Sequence, residues 1–293
     1  MTEPFYGTFP VKEIDSAIDL GAVILGVPYE DNAKIYPKGA AKAPKSIRET
    51  SVFFSGQSFS EQSIHQQNVL DLMDLDENLD YEKMQKKLSE NIQKILQKDA
   101  LPIILGGDHS IALGTAKGIK NSEKEIDSLV WLDAHLDLMN EYPTGNKFTR
   151  ATVLKRILDL EFVKPKDVYF IGSRGHNIGI EEVECLKSLE MNVIEAKTFQ
   201  NRNSLLGSLS KIEQEKKNIY VSLDIDVLDP AFAPGVSVPE PGGLSTRELI
   251  EIVNLFAKKV FCFELVEVNP ELDVNGITSK VACKAIFELL DSR

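Results

Sequence analysis

Apolar residues along this chain follow two rhythms. Short, nearly unbroken runs rich in Val, Ile and Leu occur at AVILGV (22–27), NVLDLMDL (68–75), LPIILGG (101–107) and SLVWLDAH (128–135). Others are DVYFIGS (167–173), NVIEA (192–196), NIYVSLDIDVLD (218–229) and FCFELVEVNP (261–270). Runs of this length and composition predict buried strands. Between them, apolar positions recur at helical spacing. Over 81–98, Met84, Leu88, Ile92, Ile95 and Leu96 form one stripe, which predicts a helix facing a core. Similar patterns cover 110–119, 149–160, 179–190, 201–216, 245–258 and 277–290. Strand–helix alternation predicts an α/β fold, a central, mostly parallel sheet with helices on both faces. No repeat or linker interrupts it, so one domain is expected over 1–293. The Pro- and Gly-rich segment 229–243 lies between a strand and a helix and reads as a functional loop.

The polar residues that break this pattern gather where the strands end. PIILGG runs into Asp108 and His109, LVWL into Asp133, His135 and Asp137, YVSL into Asp224 and Asp226, and CFELV into Glu267. Two of the chain's four histidines are among them. Open α/β sheets bind ligands beyond the carboxyl ends of their strands. In a strand, alternate side chains share a face, so a strand running through 133–137 would direct Asp133, His135 and Asp137 to one spot. An isolated Asp-x-Asp is most simply a solvated turn, and His109 alone a hydrogen-bonded structural histidine. Together, acids threaded through apolar strand ends are costly to desolvate unless cations compensate them. Four aspartates balance two divalent ions, and a set of carboxylates with two imidazoles suits Mn²⁺ better than a thiolate-seeking metal.

Composition removes several alternatives. A net charge of −12 argues against a nucleic-acid surface and is compatible with a small cationic substrate. Cys185, Cys262 and Cys283 are odd in number and widely spaced, which suggests neither a disulfide framework nor a zinc knuckle. No signal-peptide pattern and no apolar run of membrane-spanning length is visible, and a cytoplasmic protein without membrane partners is expected. Gly-rich nucleotide loops, a GxSxG elbow and HExxH are absent.

GGDHS (106–110), DAHLD (133–137) and SLDIDVLDPAFAPGVSVPEPGG (222–243) resemble the three signatures of the ureohydrolase family of arginases and agmatinases. The likeness extends through VILGVPYEDNAKIYPKGAAKAPKSIRE (23–49) and VEVNP (266–270). It implies a three-layer α/β/α arginase-like fold, two Mn²⁺ ions per chain, and hydrolysis of a guanidino compound to urea and an amine by a metal-bridging hydroxide. By position in the motifs, it implies metal ligation by His109, Asp133, His135, Asp137, Asp224 and Asp226. Asp137 would also steer the hydroxide, and Glu267 would pair with the substrate guanidinium, a bidentate partner for a carboxylate. A homo-oligomer, trimer or hexamer, is implied too. Met139, where arginases carry an Asn that helps read the amino acid's carboxylate, and PEPGG (239–243) favour agmatine, whose hydrolysis yields putrescine for polyamine synthesis. Guanidinobutyrate and arginine remain open, as do a non-catalytic metal-binding relative and a deacetylase-like hydrolase with one zinc.

The family pattern breaks at Arg150, thirteen residues past Asp137, where a proton-carrying histidine is usual. Arginine stays protonated and cannot shuttle. Either Arg150 turns outward and another group, His176 or solvent, relays protons, or it faces the site, slowing catalysis or complementing an anionic substrate. Val238 and Glu264 depart more mildly, from a usual Thr and Asp.

Overall fold

The expected apolar runs become the inner strands of one parallel sheet. The computed structural model describes residues 3–14, 20–31, 35–57, 68–143, 145–200 and 202–293. Residues 32–34 of the N-terminal likeness and residue 201 of an expected helix fall outside these. The strands are β1 (Phe9–Pro10), β2 (Ala22–Gly26), β3 (Val69–Asp74), β4 (Leu101–Leu105), β5 (Ser128–Leu132), β6 (Val168–Ile171), β7 (Asn192–Ile194), β8 (Ile219–Asp224) and β9 (Val260–Val266). They lie in the order β1-β3-β2-β4-β9-β8-β5-β6-β7, all pairs parallel. The helices are α1 (Ala43–Ser51), α2 (Tyr81–Gln97), α3 (Ala112–Asn121), α4 (Val153–Leu158), α5 (Ile180–Ser188), α6 (Arg202–Glu215), α7 (Thr246–Phe256) and α8 (Ile277–Asp291). No helix among the described residues is long and apolar enough to cross a membrane.

Strand alternation sorts the core into two layers. Ile103 and Leu105 of β4 and Val130 and Leu132 of β5 pack with Ile47 of α1, Leu249 of α7 and Ile286 of α8. Ile104, Leu129 and Trp131 point the other way, onto the predicted α2 stripe and onto α3 and α4. Both faces are therefore covered, as the unbroken apolar composition of these strands requires. Helix starts are set locally: Asp80 accepts from Lys83 N at 2.9 Å to cap α2, and Ser245 with Glu248 forms a capping box on α7.

Each predicted strand ends earlier than its apolar run, and at two of them this changes how the site is built. β5 stops at Leu132 rather than 135, and β8 at Asp224 rather than 229. Residues 133–138 are not a strand, and Asp137 sits at φ 55°, in the left-handed region. Asp133, His135 and Asp137 therefore converge by a turning loop, not by sharing a strand face. The side chains draw the backbone into that turn: Asp133 accepts from His135 N at 2.7 Å, and Asp224 from Asp226 N at 2.8 Å. Such short-range carboxylate–amide bonds compete with the sheet ladder.

Candidate metal centre and its buried arginine

The four central strands β4, β9, β8 and β5 deliver the chemistry from their carboxyl ends. After β4, Gly107 lets the chain pass the Tyr29 backbone so closely that a Cβ there would meet Tyr29 O at 1.7 Å. Its carbonyl accepts from Glu267 N at 2.8 Å, tying the β4 and β9 loops together. His109 follows, nearly fully buried. Its Nδ1 lies 3.1 Å from Asp133 Oδ2, 3.4 Å from Asp137 Oδ2 and 3.2 Å from Asp224 Oδ2. His135 Nδ1 lies 3.0 Å from Asp226 Oδ2 and 3.6 Å from Asp133 Oδ1. The six residues expected as ligands are thus brought together. Five of them form two overlapping groups, His109–Asp133–Asp137 and Asp133–His135–Asp226, with Asp133 common to both, and Asp224 adjoins the first through His109.

Glu264, noted in the sequence as a departure from the family pattern, and partners that the sequence did not single out fix the first imidazole. Ser222 Oγ donates to Glu264 Oε1 at 2.7 Å, so at its 2.9 Å contact it accepts from His109 Nε2–H. In the neutral imidazole, the form that ligates a metal, that places the proton on Nε2 and turns the Nδ1 lone pair toward the carboxylates. Tyr220 OH also donates to Glu264. The longer Glu264, in place of the usual Asp, is thus absorbed into a chain that orients His109. Trp131 stacks on the His109 ring at 4.1 Å and donates Nε1–H to Asp133 Oδ2 at 3.1 Å. For Trp131, Tyr220 and Ser222 the hint in the sequence was their alternation with the strand-end ligands along β5 and β8.

The donor set fits divalent cations. Buried His109 Nδ1 has no hydrogen-bond partner although three carboxylates face it, and all donors are nitrogen or oxygen. Electrostatics say the same. Burial, and then the neighbouring Asp133, push the Asp137 carboxyl well above the usual range; burial, Asp226 and Asp133 do so for Asp224. Burial opposes charging His109, yet Asp133 and Asp137 outweigh it and lift it to about 9. His135, likewise against burial, is lifted by Asp226 and Asp133 to about 12. Against its own burial, Asp133 is held low by the two imidazoles.

A pH dependence follows for the metal-free protein. A histidine lifted from 6.5 to about 9 contributes stability that is complete below 6.5 and lost as pH rises toward 9. The raised carboxyls of Asp137 and Asp224 act in the same direction. The Tm of metal-free protein should therefore fall from pH 6.5 to 9, whereas metal-loaded protein, whose ligands are deprotonated, should hold its Tm. Thermal melts with and without chelator across that window check this.

Arg150 does not turn outward. It is buried at 5% exposure and lines the same cleft as His109, His135, Asp137, Asp224, Asp226 and Glu267. Its Nη1 donates to Glu267 Oε2 at 2.7 Å and its Nη2 to Asp108 Oδ2 at 3.1 Å; its Nε lies 3.6 Å from Asp31 Oδ2. Its guanidinium carbon lies 5.0 Å from the centre of the Tyr36 ring. The charge is fully met by three acids, which removes the support for an anionic substrate. Glu267 Oε1 accepts from His109 N at 2.8 Å. Burial raises the Glu267 carboxyl to about 7 even with Arg150 beside it. His176 is exposed and does not line the cleft, so the structure does not offer it as a replacement relay. Met139, Val238, Tyr142, Asn177 and the buried Glu182 complete the wall, and of these Tyr142, Asn177 and Glu182 were not anticipated.

Comparisons with known proteins agree with this architecture. A model of the arginase family matches residues 20–291. Arginase 1, mitochondrial, of Arabidopsis thaliana is 32% identical over 277 residues, covering 91% of this chain and 79% of the relative. The mitochondrial guanidino acid hydrolase of Homo sapiens is 30% identical over 287 residues, covering 96% and 80%. The crystal structure of agmatine ureohydrolase from Thermoplasma volcanium superposes with a TM-score of 0.85 at 29% identity, covering 97% of this chain and 95% of the other. These proteins are named for different substrates, so likeness alone leaves the substrate open.

Proposed function

The chain belongs to the arginase family of guanidino hydrolases, and from that premise we propose that it hydrolyses agmatine to putrescine and urea. Two Mn²⁺ ions would be held by His109, Asp137 and Asp224 on one side and His135 and Asp226 on the other, with Asp133 shared. Bound there, such a pair supplies a hydrolytic nucleophile at neutral pH. The protein's own groups do the rest. Glu267 binds the substrate guanidinium and fixes its plane. Asp137, on the same wall, orients the attacking water by accepting its hydrogen bond.

One observation carries this reading: Glu267 shares a cleft with the metal cluster and is already paired there with a guanidinium, that of Arg150. The preference for agmatine rests on the wall. Apart from the two imidazoles, the cationic side chain lining the cleft is Arg150, which is occupied by three carboxylates. Among the described residues no further cation lines the cleft to meet a substrate carboxylate, while Met139 and Val238 suit an alkyl chain and Glu182 an ammonium. Urea release from Mn²⁺-loaded protein should be at least about tenfold faster in kcat/KM with agmatine than with arginine or guanidinobutyrate. Equal or greater turnover of either competitor overturns the preference. No turnover of any overturns the hydrolysis, and a single zinc per chain by elemental analysis overturns the two-manganese assignment.

A further inference from the structure

We propose that Arg150 determines the affinity and selectivity of the site, as a tethered guanidinium that a substrate must displace from Glu267. The inference builds on Glu267 as the substrate's partner. Both of its carboxylate oxygens are engaged: Oε2 by Arg150 Nη1 at 2.7 Å, and Oε1 by His109 N at 2.8 Å. A guanidinium binds a carboxylate best through two parallel N–H bonds. An incoming one finds no free edge on Glu267 until Arg150 yields.

Arg150 can yield without leaving the cleft. Its Nη2 keeps Asp108 Oδ2 at 3.1 Å, its Nε stays 3.6 Å from Asp31 Oδ2, and the Tyr36 ring remains beneath it. Its backbone N–H is also held by Asp31 Oδ2, at 3.2 Å. The side chain therefore retains two counter-ions in either position, which makes it a competitor and not a plug. Exchanging one guanidinium for another on the same carboxylate is nearly neutral, so the Glu267 contact adds little net affinity. A tethered group competes at an effective concentration on the order of millimolar. Binding energy must then come from the rest of the substrate. The site selects a guanidino compound with a tail that the Met139 and Val238 wall can hold, and rejects bare guanidinium or a short alkylguanidine.

The test measures agmatine binding to the metal-free protein by calorimetry in wild type, Arg150→Lys and Arg150→Gln. Lysine keeps the charge beside Asp31 and Asp108 but, as a point donor, cannot span all three acids. Both variants should bind agmatine at least about tenfold tighter. Guanidinium ion should gain similarly. A four-carbon diamine, which lacks the guanidinium, should bind Arg150→Lys as it binds wild type. Adding Glu267→Gln to either variant should erase the gain. Unchanged or weaker agmatine binding in Arg150→Lys overturns the proposal, because that is the result if Arg150 merely holds Glu267 in place. An equal gain for the diamine overturns it too, since the effect would then be general electrostatics. Should Arg150→Gln fail to fold, Arg150→Lys decides alone. Tighter binding without urea release from any metal-loaded form supports the role of Arg150 while overturning agmatine hydrolysis; turnover without tightening does the reverse.

Discussion

Asp133→Asn is expected to strip the protein of both metal ions and to lower urea release by about four orders of magnitude, a loss on the order of 5 kcal/mol of transition-state stabilisation. The size of the effect comes from sharing. Asp133 Oδ2 lies 3.1 Å from His109 Nδ1 and its Oδ1 3.6 Å from His135 Nδ1, so one carboxylate serves both ligand groups. Asparagine keeps the shape but offers one acceptor oxygen. If that oxygen keeps the 2.7 Å bond from His135 N, the amide nitrogen meets Trp131 Nε1–H, a donor facing a donor. Elemental analysis of the purified variant reads metal content and a urea assay reads turnover, with circular dichroism confirming the fold. Two metals retained would show that Asp133 is not the shared ligand.

The second large effect is expected at Glu267→Gln, where metal content should stay at the wild-type level while kcat/KM for the guanidino substrate falls about 10²–10³-fold. Because Arg150 and the substrate exchange on Glu267, ground-state binding should change little. The fall should appear in kcat, through loss of the orientation that Glu267 gives the reacting guanidinium, about 3–4 kcal/mol at that range. Glutamine can still accept from His109 N, so the β4 loop keeps its anchor. Arg150 keeps Asp108 and Asp31. The loss should therefore be confined to the guanidinium contact and be read as kinetics, not as unfolding. A fall of less than about tenfold, with metals in place, would remove Glu267 from orienting the substrate guanidinium.

How much of this was legible beforehand differs from residue to residue. The ligands were readable because acids and histidines at the ends of Val- and Ile-rich runs have few inexpensive explanations, and because their motifs resemble a known family. The helical stripe of Met84, Leu88, Ile92, Ile95 and Leu96 was readable from periodicity, and all five are buried. β1 and α1 were not anticipated: β1 is two exposed residues, and Pro44 and three Ser or Thr interrupt the apolar pattern of α1. The early end of β5 was hidden because period-two spacing looks the same in a strand and in a turning loop. The chain leaves the ladder at Asp133, whose carboxylate accepts from His135 N, and Asp137 follows in a left-handed backbone. The direction of Arg150 was hidden for a stronger reason. Its partners Asp31, Asp108 and Glu267 are separated from it by 119, 42 and 117 residues, and only the folded chain brings them within reach.

The strand order carries one more consequence, for how the chain is made. β4 and β5 are consecutive in sequence but not in space: β9 and β8, the last two strands, lie between them. As the chain emerges from the ribosome, the segment through β4 and the segment through β7 can each begin to collapse. Neither can complete the sheet until residues 219–266 have been synthesised. Until then LPIIL and SLVWL stand as open edges, apolar on both sides, in the kind of state that associates with copies of itself. Insertion of β8 and β9 closes those edges and, in the same event, brings Asp224, Asp226 and Glu267 to His109 and Asp133. A nascent chain thus acquires its metal centre and loses its most adhesive surfaces together.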